Sequence, residues 1–64
     1  MTLGEKLKKL RIDNGESLKK VETETFLSAS YIYRLETGSR TNPSISTLKT
    51  LCAYYNISPL LLME

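Results

Sequence analysis

Apolar positions recur at helical spacing in four separate stretches of the chain. Leu3, Leu7 and Leu10 share one edge of a first helix. Leu18 and Val21 share an edge of a second, and Ile32 and Leu35 of a third. Ile45, Leu48, Leu51, Cys52 and Tyr55 line one face of a fourth. No stretch alternates apolar and polar residues as a half-buried strand does, and no tight turn separates β-rich runs. Five short helices around one core is the economical all-α reading.

The polar punctuation supports these boundaries. Thr2 and Glu5 have capping-box spacing, so the first helix starts at Thr2. Asn14-Gly15 ends it, because both residues tolerate the left-handed conformation of a C-cap. Ser17 is the N-cap of the second helix, Thr25-Phe26-Leu27 forms a corner, and Ser28 caps the third helix. That helix runs from Ala29 to Thr37 and stops at Gly38. Ser39 to Pro43 is a polar turn, and Ser44 caps the fourth helix, which Asn56 ends. Ser58-Pro59 then opens a last short helix, with proline where its missing N–H costs nothing. Ser17 to Gly38 is therefore two short helices joined by a tight corner. In the second of them Ala29, Ser30, Tyr33, Arg34 and Thr37 fall on the outer side.

Composition narrows the function. Sixty-four residues make one domain, 1–64, close to the lower size at which a single core suffices. Nine basic and seven acidic residues give a net charge of +2, a mild bias that fits nucleic acid without requiring it. Lys6, Lys8, Lys9 and Arg11 give the first helix a basic outer surface. The single cysteine, Cys52, cannot form an internal disulfide and reads as a small buried apolar residue. No signal peptide and no membrane-length apolar run is present, so a cytoplasmic location is expected, at the nucleoid of a bacterium or phage host.

An enzyme is not expected. The chain has no histidine, so metal sites and triads that need imidazole are excluded, and one cysteine cannot build a zinc site. The stretches around Gly4, Gly15 and Gly38 are not phosphate-cradling loops. The carboxylates are scattered at helix-surface spacing. No metal, no cofactor and no membrane partner is expected.

The stretches KLKKLRIDNGES, SASYIYRLETG and NPSISTLKTLCAYYNIS resemble the Cro/C1-type helix-turn-helix domain of phage and bacterial repressors, the xenobiotic response element family. The resemblance runs from about Leu3 to Leu62. Its strongest marks are Arg34-Leu35-Glu36-Thr37-Gly38 and the Asn42-Pro43-Ser44 start of the fourth helix. It implies a compact five-helix, lambda-repressor-like domain with the helix-turn-helix at about residues 17–38. It also implies a sequence-specific regulator of repressor type that binds double-stranded DNA, with the third helix (about 28–37) in the major groove. Carried over by position, Ser28, Ala29, Ser30 and Arg34 would face bases. Lys19, Tyr31, Tyr33, Ser39, Arg40 and Thr41 would approach the DNA backbone. Arg11 and Glu36 would form a structural ion pair tying the first helix to the end of the third.

Among the outer residues of the third helix Arg34 is the one long donor, able to pair with guanine or clamp a phosphate. Ala29 and Ser30 are short, which lets the helix approach closely and limits readout. The N-terminus of this helix and the amides of the Arg40 loop are expected phosphate sites.

Several residues depart from the family pattern. Leu18 replaces a glutamine that bonds phosphate, with Lys19 and Lys20 as partial substitutes. Glu22 replaces a small alanine and Glu16 an apolar residue. Phe26 replaces the turn glycine, and its strain at positive φ predicts a longer or reshaped second helix. Leu60 to Met63 cannot all face one small core. Leu60 and Leu61 are therefore expected in a homodimer interface through the C-terminal helix, or against a segment that follows. A second function stands beside DNA recognition: the same fold as a protein-interaction module, or as the N-terminal DNA-binding part of a larger regulator. Arg34, Arg40, Lys19 and Lys20 favour DNA, whereas Glu22 and Glu24 argue the other way.

Overall fold

The computed structural model describes residues 1–63, with the side chain of Met63 excluded. Five helices follow one another: α1 (Leu3–Asp13), α2 (Leu18–Thr25), α3 (Ala29–Thr37), α4 (Ile45–Tyr55) and α5 (Pro59–Met63). Among the described residues there is no strand, and no helix is long and apolar enough to cross a membrane.

Local chemistry sets each boundary. Thr2 and Glu5 form a reciprocal capping box. The hydroxyls of Ser17, Ser28 and Ser44 each accept an early amide of α2, α3 and α4, from Lys20, Tyr31 and Thr47. Gly38 and Asn56 end α3 and α4 in the left-handed conformation, and Gly15 supplies it after α1.

The core gathers Leu7, Val21, Ile32, Leu35, Leu51, Cys52, Tyr55 and Leu62, so every helix contributes at least one buried side chain. Burial also pushes the Cys52 thiol up from its ordinary value, as suits a packing residue. Gly4 lies where α1 runs against the end of α3. A Cβ there would come within 2.2 Å of the Leu35 carbonyl oxygen and 2.7 Å of the Glu36 carbonyl oxygen.

Three expectations are corrected. First, α2 is neither longer nor reshaped. Phe26 takes φ 64°, ψ 12°, so the chain turns sharply with a phenylalanine in the left-handed region. Val21 and Ile32, both fully buried, fix the approach of α2 to α3, and the corner residue conforms. The Thr25 hydroxyl accepts the Leu27 amide across the corner. Second, Ile45 does not line the core and is 72% exposed. As the first residue of α4, its side chain leans toward the helix N-terminus and past the packed layer. Third, the basic run of α1 is not one outer surface. Lys8 and Lys9 are exposed, Arg11 turns inward, and the Lys6 ammonium reaches the Leu61 carbonyl at 3.0 Å.

Candidate nucleic-acid interface

Helix α3 is anchored by Ile32, Leu35 and Glu36, which are buried, and caps hold both its ends. Its opposite side presents Ser30, Tyr33, Arg34 and Thr37 to solvent, with Ala29 half-buried beside them. Ser28 is exposed at the N-cap, although its hydroxyl is already committed to the Tyr31 amide. This is a rigid face with one long cation, Arg34, among short polar groups.

The loop after α3 is held against that helix. The Arg40 amide donates to the Arg34 carbonyl at 3.0 Å, and the Gly38 amide to Leu35. The Arg40 amide is therefore not the open phosphate donor expected from sequence; the C-terminal cap has consumed it. The Arg40 guanidinium lies over the Tyr31 ring, 5.5 Å from its centroid, a cation–π contact that joins the loop to the helix. Ser39 and Thr41 are exposed on either side.

Helix α2 contributes less free charge than its lysines suggest. Lys19 Nζ pairs with Glu22 Oε1 at 3.0 Å, and Lys20 Nζ with Glu24 Oε1 at 2.8 Å. The second oxygen of Glu22 accepts the Ala29 amide at 3.2 Å, which places a carboxylate at the N-terminus of α3. That corrects the expectation of an open phosphate site there. The Lys19 ammonium and the Ala29 amide hold the Glu22 carboxyl below the usual carboxylate range, so it is charged at neutral pH.

Beneath this face lies a polar brace. Arg11 Nε donates to Glu36 Oε2 at 2.8 Å and Arg11 Nη2 to Glu36 Oε1 at 3.0 Å, the two-pronged pair expected from the resemblance. The Glu36 carboxylate raises the Arg11 pKa. Arg11 Nη1 also donates to the Glu16 carbonyl, and the Tyr54 hydroxyl donates to the Glu16 carboxylate at 2.5 Å. Glu16 therefore occupies its half-buried place with a partner from α4. Neither Glu16–Tyr54 nor Glu22–Ala29 was read from the sequence. The second had a signal: position 22 lies one turn before the corner, within a side chain's reach of the start of α3.

At the far end Leu60 is 71% and Leu61 54% exposed, while Leu62 is buried. Leu61 borders an apolar groove of about 200 Å³ that Met1, Leu10 and Ile57 also line.

A family profile described as a helix-turn-helix domain matches residues 4–64. The chain belongs to this helix-turn-helix family. Its α2 and α3, joined at the Phe26 corner, are the unit after which the family is named. The chain is 41% identical over 58 residues to the HTH-type transcriptional regulator DdrOP3 of Deinococcus deserti. That alignment covers 91% of this chain and 44% of the relative, so the chain spans less than half the length of the curated relative it matches. Among solved structures it is similar to the master regulator for biofilm formation SinR in complex with DNA. The TM-score is 0.92 at 28% identity, over 98% of this chain and 100% of that one. The N-terminal DNA-binding domain of SinR from Bacillus subtilis gives a TM-score of 0.89 at 29% identity, over 97% and 90%.

Proposed function

We propose that residues 1–64 form one helix-turn-helix domain that binds double-stranded DNA as part of a transcriptional regulator of repressor type, acting at the bacterial or phage nucleoid. The observation that carries this reading is the exposed face of α3. A capped helix, pinned by three buried side chains, offers Arg34 and Ser30 outward with nothing packed over them. Insertion of such a face into a major groove needs no rearrangement of the core. The similarity to SinR in complex with DNA and to a transcriptional regulator supports it. The reading is of a binding protein, not an enzyme.

In this reading Arg34 pairs with a guanine edge, and Ser30 and Ala29 make short contacts to neighbouring bases. Ser28, Tyr33, Ser39, Thr41 and the Arg40 guanidinium stand at the sugar-phosphate walls. Tyr31 serves the wall by holding Arg40. The exposed Leu60 and Leu61, beside the groove of Met1, Leu10 and Ile57, support a homodimer through α5. A two-fold pair would set two α3 helices about 34 Å apart, one turn of DNA.

Selection of bound duplexes from a random pool at near-physiological salt tests this. A palindrome with half-sites one turn apart is expected. A single half-site would remove the dimer and keep DNA recognition. No enrichment by a folded chain would refute the reading and leave protein interaction through the Leu60-Leu61 surface.

A further inference from the structure

We infer that Glu22 is a built-in competitor of DNA phosphate, which lowers the affinity of the α2–α3 surface for DNA of every sequence. The inference rests on the DNA reading. Two contacts carry it. One carboxylate oxygen pairs with Lys19 Nζ at 3.0 Å and the other accepts the Ala29 amide at 3.2 Å. These two donors are the cationic head on α2 and the first amide of the recognition helix. Both are groups that a backbone phosphate would seek, and one anion satisfies both in the free protein.

Binding to any DNA then has to displace this carboxylate from Lys19 or hold it beside a phosphate. Both costs apply to every sequence alike, because phosphate positions carry no sequence information. Base contacts by Arg34 and Ser30 are made only at a matching site and can offset the cost there. A penalty shared by every sequence lowers absolute affinity and leaves the ratio of specific to non-specific binding unchanged, so only sites with matched base contacts stay occupied at low protein concentration. Lys19, 81% exposed at its side chain, stays poised and is released when the carboxylate loses its charge or is removed.

Glu22→Gln is the informative change. The amide keeps an oxygen for the Ala29 amide and nearly the same volume, so the corner between α2 and α3 keeps its geometry. The charge is lost and Lys19 is freed. Affinity for random-sequence duplex is measured by fluorescence anisotropy across a salt series, for the whole chain. Glu22→Gln is expected to bind random duplex about three- to fivefold more tightly, the scale of one exposed charge pair. The slope of log K against log salt should steepen by about 0.9, one added phosphate contact. The gain at the selected site should be equal, so the ratio of the two affinities stays the same.

Lys19→Ala supplies the second readout. In the parent it should lower random-duplex affinity less than in the Glu22→Gln background, because Glu22 already occupies Lys19. In the Glu22→Gln background it should abolish the gain. If Glu22→Gln binds random duplex no better than the parent, or Lys19→Ala costs the same in both backgrounds, the inference is wrong and Glu22 is only a clasp between helices. If neither parent nor variant binds any duplex, the DNA reading itself fails and takes this inference with it.

Discussion

Replacing Phe26 by glycine should stabilise the domain, although it removes an apolar aromatic side chain. Phe26 holds φ 64°, ψ 12°, where a Cβ crowds the following carbonyl. That crowding costs about 1–2 kcal/mol for a residue other than glycine. The ring is 93% exposed, so truncating it forfeits almost no burial. The capping bond from the Phe26 amide to the Glu22 carbonyl, 2.8 Å, belongs to the backbone and survives. Against this, glycine makes the unfolded chain freer and costs about 0.4–1 kcal/mol. The balance is a gain of roughly 0.5–1 kcal/mol, about 3–8 °C in Tm for a domain of this size. Phe26→Ala is the control, because it removes the ring and keeps the Cβ, so its Tm should stay near that of the parent. Thermal melts followed by far-UV circular dichroism give the comparison. A lower Tm for both variants would show that the ring packs on something, and a Phe26→Gly melt no higher than that of Phe26→Ala would show that the Cβ strain does not exceed the entropic cost of glycine.

Gly4→Ala should lower stability by about 1–3 kcal/mol despite alanine's higher helix propensity, because its Cβ meets the carbonyl oxygens of Leu35 and Glu36, which are backbone and cannot rotate away; chemical denaturation reads this. Glu36→Ala strands the Arg11 guanidinium and should cost about 3–5 kcal/mol, whereas pairing Glu36→Leu with Arg11→Met should recover much of the loss. The Glu16 carboxylate holds the Tyr54 pKa up to about 12, and burial holds that of Tyr55 up to about 12. Both phenols keep their protons more tightly folded than unfolded, where tyrosine ionises near ~10, so their contribution to stability is full below about pH 10 and is lost as pH rises through about 12. Alkaline melts should show this fall, and Tyr54→Phe should flatten it.

The helix boundaries were legible because caps are local. Thr2, Ser17, Ser28 and Ser44 each satisfy an amide three residues on, and Gly38 and Asn56 turn the chain where they stand. The outward set on α3 was legible for a similar reason, since Ile32 and Leu35 leave the opposite face only one direction. Ile45 was misplaced because periodicity ignores the tilt of a side chain at the first helical turn. The shape of the Phe26 corner was not legible because propensity at one position yields to burial of Val21 and Ile32 on both sides of it. The proposed phosphate donors were misjudged because a sequence shows which amides a helix end exposes, and not which distant side chain arrives to accept them. Glu22 reaches seven residues forward to Ala29, and the Arg40 amide six residues back to Arg34.

The most direct test of the account is to run duplex selection in parallel with the parent chain and with Arg34→Ala, which leaves the core untouched. The account predicts that one G·C position of the parent motif loses its preference. Affinity for the parent site should fall by about 1–3 kcal/mol, roughly 5- to 150-fold, with unchanged melting. An identical motif and affinity from the variant would show that α3 does not read DNA through Arg34.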